Sequence, residues 1–218
     1  MDTPRLLVLA KAPVAGRVKT RLGVDVGMDR AAEVAAAALL DTLLACGEAV
    51  GAERCVLALD GDLAHAVRGD ELRRASTRWT LRPQRGDGFA ARLVNAHLDV
   101  PAGSGPVVQV GMDTPQLTAG DLLAAAAATA TDPAVLGPAE DGGWWVLALR
   151  DPAAARALGT VEMSTPRTHD DTHRALVGAG LTVGTTATLR DVDTVADADL
   201  VAAAAPGSHF ARAWSTPR

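Results

Sequence analysis

The 218-residue sequence lacks several features that would place it in a class at once. Cysteine is scarce: Cys46 and Cys55 are too few and too isolated for a disulfide framework or a thiolate zinc site, so we expect both in the core. Positive charge is not in excess either. The formal net charge is −5, which argues against a general nucleic-acid binder, because such proteins need a basic face.

Long hydrophobic runs are also missing. The first residues contain no apolar stretch as long as that of a signal peptide, and no segment approaches the ~18 apolar residues of a membrane span. We therefore expect a cytoplasmic protein without a membrane partner. Hydrophobic residues make up 48% of the chain, which is enough for the core of a single domain over residues 1–218.

Apolar runs that predict buried strands alternate with segments of helical character. The strands are predicted at Leu6–Ala10, Cys55–Leu59, Val107–Val110, Ala134–Leu136 and Trp144–Leu149. The helices are predicted at Ala31–Val50, Phe89–Leu98, Leu122–Ala130, Arg167–Ala179 and Val195–Ala205. This alternation predicts an α/β fold with a mainly parallel sheet covered by helices on both faces. Ligands of such sheets bind at the carboxyl ends of the strands, so the loops there are the candidates for function.

The stretch AKAPVAGRVKTRL, residues 10–22, is the first of these loops. It places four cations directly after the first strand: Lys11, Arg17, Lys19 and Arg21. The G-x-x-x-x-G-K-[ST] phosphate loop does not match, because only Gly16 precedes Lys19 and Thr20. Gly16 still permits a tight backbone path, and Lys and Arg suit anionic oxygens. The loop is interpreted as binding a phosphate chain, and a solvated cationic turn is the alternative.

Carboxylates follow later strands. In VGMDTP, residues 110–115, Asp113 comes just past an apolar strand, where it is well placed to hold Mg²⁺ that bridges to substrate phosphates. An isolated aspartate in this position is as often a helix cap as a metal ligand. The segment RDVDTVADADL adds Asp191 and Asp193. Carboxylates from separate loops could converge on one metal ion, which strengthens the metal interpretation.

Two further loops contain glycine. In GPAEDGGWW, residues 137–145, Asp141-Gly142-Gly143 has the chemistry of a tight turn that lets backbone approach a ligand, with a plain hairpin turn as the alternative. Trp144 and Trp145 would face opposite sides of a strand, so one could pack in the core while the other borders the pocket. The polar loop PQRGDG, residues 83–88, could be only a loop and helix N-cap.

Taken in order, these loops resemble a family of bacterial proteins with the GT-A glycosyltransferase-like fold, long catalogued as a domain of unknown function. The motifs are K-x-P-x-x-G-x-x-K-T-R-L, P-Q-x-G-D, G-x-D-x-P, P-x-x-D-G-G with two aromatics, and D-V-D-T. The matching residues are Lys11, Pro13, Gly16, Lys19–Leu22, Pro83, Gln84, Gly86, Asp87, Gly111, Asp113, Pro115, Pro138, Asp141–Trp145 and Asp191–Thr194. The chain departs from the family at three places, with Gly88-Phe89 for Leu-Gly, Met163-Ser164-Thr165 for Trp-Ser-Thr, and Trp144-Trp145 for an aromatic pair that is often tyrosine. The K-T-R-L and D-V-D-T motifs also resemble those of phospholactate guanylyltransferases.

The resemblance implies a metal-dependent, nucleotide-using transferase. It assigns catalysis to Lys19 and Asp113, and Mg²⁺ or Mn²⁺ binding to Asp113, Asp193 and Asp191. It assigns nucleotide binding to Lys11, Pro13, Gly16, Lys19, Arg21, Gln84, Gly86 and Asp87. It assigns acceptor binding to Asp141, Gly142, Gly143, Trp144 and Thr165.

Four cations suit a triphosphate, which favours nucleotidyl transfer from a nucleoside triphosphate to a small phosphorylated acceptor with release of pyrophosphate. Glycosyl transfer from a nucleotide-sugar is the first alternative. A nucleotide-binding module without turnover is the second.

Overall fold

The computed structural model describes residues 3–103 and 105–216, and its centre is a seven-stranded sheet in the order β3-β2-β1-β4-β6-β5-β7. The strands are β1 (Arg5–Lys11), β2 (Cys55–Asp60), β3 (Thr80–Pro83), β4 (Val107–Val110), β5 (Ala134–Pro138), β6 (Trp144–Leu149) and β7 (Val183–Thr185). Only β6 runs against its neighbours, pairing antiparallel with β4 and β5, whereas the other strand pairs in the described residues are parallel. The prediction of a mainly parallel sheet is confirmed.

Helices cover both faces of this sheet, as predicted. They are α1 (Thr20–Val26), α2 (Met28–Val50), α3 (Gly69–Ala75), α4 (Gly88–Leu98), α5 (Ala119–Ala128), α6 (Thr168–Gly178), α7 (Val195–Ala204) and α8 (His209–Ser215), with a long 3₁₀ segment at Pro152–Thr160. Alternate residues of β1 enter two separate cores. Leu6 and Val8 pack with α2, α3 and α5, while Leu7 and Leu9 pack with α4, α6 and the 3₁₀ segment.

The five predicted strands and five predicted helices are confirmed, with bounds shifted by a few residues. Thr118 and Asp121 form a capping box at the start of α5, and both cysteines are buried, as predicted, and free. The prediction was wrong in treating residues 10–22 as one loop, because α1 begins at Thr20. Its other omissions are β3, β7, α3 and α8.

A third, smaller core joins the start of the chain to its end. Leu22 of α1, Val34 and Ala38 of α2, Val192, and Phe210 of α8 are all buried in it, together with Ala198 and Val201 of α7. This core lies under the cationic loop and under the D-V-D-T segment, so it sets the position of both. No helix in the described part of the chain is long and apolar enough to cross a membrane.

Candidate active site

The cationic loop meets the predicted metal ligands at one side chain. The Lys19 Nζ lies 2.9 Å from Asp113 Oδ1 and 3.0 Å from Asp193 Oδ1, and only 8% of its side chain is exposed. Asp113 follows β4 at the carboxyl edge of the sheet, and Asp193 precedes α7. The structure thus brings together three predicted site residues from distant segments, and their roles stay predictions.

Local structure explains how Lys19 reaches this place. Its backbone is left-handed, with φ 46° and ψ 42°, which ends the loop and starts α1 at Thr20. Leu22, one turn on, is fully buried in the third core and anchors the helix. Val192 is buried in the same core. Its burial fixes the positions of the adjacent Asp191 and Asp193 near Lys19.

Backbone hydrogen bonds fix the carboxylate-bearing segments to one another. The Val192 N–H donates to the Asp113 carbonyl at 3.0 Å, and the Gln116 side-chain amide donates to the Arg190 carbonyl at 2.7 Å. The Arg190 guanidinium contacts Glu140 on one side and Asp197, at 2.8 Å, on the other. Sequence reasoning missed this arginine, and its position directly before D-V-D-T was the available signal.

The electrostatics of the site are dominated by carboxylates. Burial, then Asp113 and Asp141, raise the pKa of Asp191 from 3.8 to about 7. Burial opposes the charged form of Lys19, but Asp113 and Asp193 outweigh it and raise its pKa above the ordinary value. Such a set offers the oxygen donors that Mg²⁺ and Mn²⁺ accept, with an excess of negative charge to be neutralised. In the described ranges no three acidic, cysteine or histidine side chains are already grouped as a metal site.

The remaining loop cations are exposed. Lys11 ends β1 opposite Asp60 in register, Arg17 is exposed, and Arg21, with 79% of its side chain exposed, lies 3.4 Å from Asp193 Oδ2. Pro13 is buried, and its carbonyl accepts from the Val67 N–H. Gly16 has a positive φ of 77° and lies in open space. The solvated-turn alternative thus describes the surroundings of Arg17 but not those of Lys19.

The PQRGDG loop is only partly available to a ligand. The Gln84 side-chain amide donates to the Ala10 and Ala58 carbonyls at 2.9 and 3.0 Å, so its nitrogen joins the ends of β1 and β2. Gly86 has a φ of +118° and packs against α4. Asp87 is the N-cap residue of α4 but makes no side-chain capping bond. The nucleotide roles of these residues stay predictions.

The glycine turn is a β-hairpin, which was the alternative the sequence left open. Asp141 Oδ1 accepts from the Gly143 N–H at 2.8 Å, and the turn joins β5 to β6. The Gly142 carbonyl accepts from the His169 N–H, which attaches the turn to the start of α6. Thr165 lies in the same neighbourhood, since the Thr168 side chain accepts from its N–H. The acceptor role of these residues stays a prediction.

The two tryptophans face opposite sides of the sheet, as predicted. Trp145 is buried in the first core, and its indole N–H donates to the Ala187 carbonyl. Trp144 is partly buried on the other face, where it donates to the Thr172 hydroxyl at 3.2 Å. Trp144 therefore contacts α6 through Thr172.

One charged pair at the same edge was missed. Asp60 ends β2, and its carboxylate accepts from Arg92 of α4 at 2.9 Å. A carboxylate directly after an apolar strand was the same signal that singled out Asp113. Two surface clefts, of about 440 and 410 Å³, lie along α6 and between α2 and the start of α5, and neither is lined by the predicted site residues. The Lys19 cluster thus belongs to an open edge of the sheet.

Comparison with known protein families shows which family the chain belongs to. Residues 42–165, more than half of it, match the model of a family described as an uncharacterized protein conserved in bacteria (DUF2064). The chain belongs to the DUF2064 family. The DUF2064 match covers Gln84, Asp113 and the hairpin, while Lys19 and Asp193 lie outside it. No curated protein matches the sequence.

Solved structures share the fold across nearly the whole DUF2064 chain. A proposed nucleotide-diphospho-sugar transferase from Desulfovibrio desulfuricans G20 has a TM-score of 0.83 at 24% identity, covering 99% of this chain and 94% of that one. A CMP:2-keto-3-deoxy-manno-octonic acid synthetase complexed with CTP has a TM-score of 0.57 at 15% identity, covering 93% and 98%. Rv0371c from Mycobacterium tuberculosis H37Rv, in complex with manganese, has a TM-score of 0.53 at 20% identity, covering 92% and 98%. The chain therefore has the nucleotide-diphospho-sugar transferase fold.

Proposed function

We propose that this protein is a metal-dependent nucleotidyltransferase that joins a nucleoside monophosphate to a small phosphorylated acceptor. The observation that carries the proposal is the Lys19 cluster, in which a buried ammonium from the cationic loop contacts Asp113 and Asp193 at the carboxyl edge of the sheet. Cations for a phosphate chain and oxygen donors for a divalent ion thus lie side by side. Phosphoryl-type transfer needs both, because its transition state concentrates negative charge.

In this proposal an acceptor phosphate oxygen attacks the α-phosphorus, and the bond to the β-phosphate oxygen breaks to release pyrophosphate. Lys11, Lys19 and Arg21 bind the phosphate chain by charge-assisted hydrogen bonds. Asp113 and Asp193, with Asp191, would hold Mg²⁺ or Mn²⁺, which neutralises phosphate charge when bound. The hairpin at Asp141–Gly143 and Thr165 serve the acceptor.

Two similar structures support a nucleotide substrate and a metal. One is a synthetase solved with CTP, and another is a manganese complex. A net charge of −5 fits a small-molecule acceptor better than a nucleic acid.

Glycosyl transfer is the second candidate, because the Desulfovibrio protein with a TM-score of 0.83 is described as acting on nucleotide-diphospho-sugars. In that reaction the bond from the sugar to the diphosphate breaks, and a nucleoside diphosphate leaves instead of pyrophosphate. A binding module without turnover would release neither product.

The test is a product assay across nucleotides. The protein is incubated with each nucleoside triphosphate or nucleotide-sugar, a panel of small phosphorylated acids and Mg²⁺ or Mn²⁺. Pyrophosphate release supports nucleotidyl transfer, nucleoside diphosphate release supports glycosyl transfer, and neither product contradicts both.

Asp113→Ala should abolish the metal-dependent release in this assay, because it removes the carboxylate next to Lys19 at the end of β4. Asp193→Ala should lower it less completely. Circular dichroism and thermal melting confirm that both variants are folded. Full activity in folded Asp113→Ala would remove this residue from the site.

A further inference from the structure

Lysine is used at only two positions in this chain, Lys11 and Lys19, among 21 lysines and arginines. Lys11 is the last residue of β1, and Lys19 ends the loop that follows this strand. Lys11 is exposed at the end of the strand, whereas the Lys19 ammonium is buried between two carboxylates from different segments of the sequence. Arginine supplies the cation in every other ion pair found in the described residues, apart from one that involves His169.

The position of the Lys19 ammonium conflicts with the role of its partners. Asp113 Oδ1 and Asp193 Oδ1, the oxygens within 3.0 Å of Nζ, are on the two principal candidate metal ligands. A divalent cation bound to the same two oxygens would lie a few ångströms from the ammonium and repel it, and the 43% and 37% exposure of the two aspartate side chains screens this repulsion only in part. The ammonium and the metal ion therefore compete for these oxygens.

We propose that Lys19 is the resident counter-cation of Asp113 and Asp193, and that its ammonium leaves them for phosphate oxygens when a divalent cation and a nucleotide bind. The inference rests on the proposed function, since it takes these carboxylates as metal ligands. In the free protein Lys19 holds together carboxylates that would otherwise repel one another. In the loaded protein the same side chain becomes a ligand of the phosphate chain.

The choice of lysine suits an exchange of partners. A guanidinium is a planar fork whose paired hydrogen bonds fix its direction, whereas an ammonium is a compact charge on a flexible stem with donors that rotate freely. The Lys19 backbone is held by its left-handed conformation and by buried Leu22, so the stem alone can move. Because the ammonium competes with metal but binds phosphate, metal and triphosphate should strengthen each other's binding.

The wild-type protein allows a direct test because it has only two lysines. A short pulse of an amine-acetylating reagent is applied with EDTA, with Mn²⁺ alone, and with Mn²⁺ plus inorganic triphosphate, and peptide mass spectrometry gives the labelling of each lysine. Lys11 serves as the internal reference for the comparison of EDTA with Mn²⁺. In the triphosphate sample the absolute labelling of Lys19 is compared, because the proposed function also places Lys11 on the phosphate chain. We expect Mn²⁺ alone to increase Lys19 labelling several-fold relative to Lys11, and added triphosphate to reduce it again. Unchanged or lower Lys19 labelling with Mn²⁺ would overturn the proposal.

A matched pair of variants gives a second readout without nucleotide. Mn²⁺ affinity, measured by electron paramagnetic resonance, should rise about tenfold in Lys19→Met, a coupling of ordinary size, because the competing ammonium is gone. Lys11→Met removes the same charge from a side chain that forms no ion pair with Asp113 or Asp193 in the described residues, and it should change the affinity little. Equal effects of the two variants, or weaker binding in Lys19→Met, would reject a local competition.

These outcomes are separable from those of the product assay. If the protein is an active transferase but its Lys19 labelling does not change with Mn²⁺, the counter-cation proposal is rejected and the proposed function stands. If the protein turns over no nucleotide but its Lys19 labelling rises with Mn²⁺, the counter-cation proposal stands and the proposed function is rejected. Wild-type protein that binds no Mn²⁺ in the resonance measurement overturns the counter-cation proposal outright.

Discussion

Gly142 shows at the scale of one residue how tightly the hairpin is fitted to its surroundings. Its φ is +88°, a conformation that costs other residues energy, and a Cβ built there would lie 2.1 Å from the Pro166 carbonyl oxygen. The Gly142 carbonyl in turn accepts from the His169 N–H. Any side chain at this position must therefore displace the backbone that leads into α6 and carries Thr165.

Gly142→Ala should lower the free energy of unfolding by more than about 1 kcal/mol, because alanine is incompatible with the native φ. If the hairpin serves the acceptor, the KM for the acceptor should also rise more than the KM for the nucleotide. Gly159→Ala is the matched control, since a Cβ there meets open space, and it should fall within about 0.5 kcal/mol of wild type. Urea unfolding and steady-state kinetics measure both effects. A larger loss of nucleotide than of acceptor affinity would reverse the assignment of the two sides.

At the scale of elements, α8 is attached to the protein by a carboxylate from another helix. Asp41 of α2 accepts from the His209 N–H at 2.9 Å and the Phe210 N–H at 2.8 Å, two donors at the start of α8. Phe210 then fills the third core beside Leu22 and Val192. The placement of Asp191 and Asp193 thus depends on a helix that follows them in sequence.

Asp41→Ala should destabilise the protein by about 1.5–3 kcal/mol, because it leaves two helix N–H groups without their charged acceptor. Hydrogen exchange should accelerate in residues 191–216 while the amides of β1 and β4 stay protected. Ser208→Ala removes one neutral capping bond to the Ala211 N–H and is the control, with an expected cost of about 0.5–1.5 kcal/mol. Equal exchange profiles for the two variants would contradict this role of Asp41.

The strands that could be predicted from the sequence are those buried on both faces of the sheet. β1, β2, β4, β5 and β6 read as continuous apolar runs, which is how strands covered on two faces appear. β3 gave no such signal, because it is a mostly exposed edge strand that ends in proline, and β7 has three residues. The four cations and the single glycine of residues 10–22 made the start of α1 unrecognisable from the sequence.

Candidate site residues could be predicted where the loop that carries them was recognisable from the sequence. Asp113 follows a recognisable strand, and the family motifs mark Lys19 and Asp193. The contacts among them were not predictable, because Lys19 and Asp193 are 174 residues apart and meet only through the third core. For the same reason the sequence did not reveal that the Gln84 amide is engaged by strand carbonyls.

At the scale of the whole molecule, two buried groups give stability opposite dependences on pH. Burial lowers the pKa of His97 from 6.5 to about 4, and neither ring nitrogen has a hydrogen-bond partner among the residues described. Unfolding lets His97 take up a proton, so its contribution to stability falls as pH drops from 6.5 to 4. Asp191 behaves oppositely, since its raised pKa makes stability fall as pH rises from about 4 to about 7.

Urea unfolding of the metal-free protein between pH 4.5 and 7.5 should separate these two contributions. His97→Leu should lose stability more steeply with rising pH than wild type, because only the Asp191 contribution remains. Asp191→Asn should gain stability relative to wild type as pH rises towards 7, and the gain should be constant above it. Carboxylates that do not interact with Asp191 or His97 are common to the three proteins and cancel in the comparison. Parallel curves for wild type and both variants would show that neither group is perturbed by folding.

The contact between Lys19 and Asp193 also has a consequence for biosynthesis. A ribosome adds about 5–20 residues per second, so roughly 9–35 s separate the synthesis of the two residues. All seven strands are translated before Asp191, α7 and α8 have been made. Under the proposed function, metal and nucleotide can therefore assist folding only after Asp193 has been translated. A polypeptide that stops before Asp191 contains all seven strands and lacks two carboxylates of the proposed metal site.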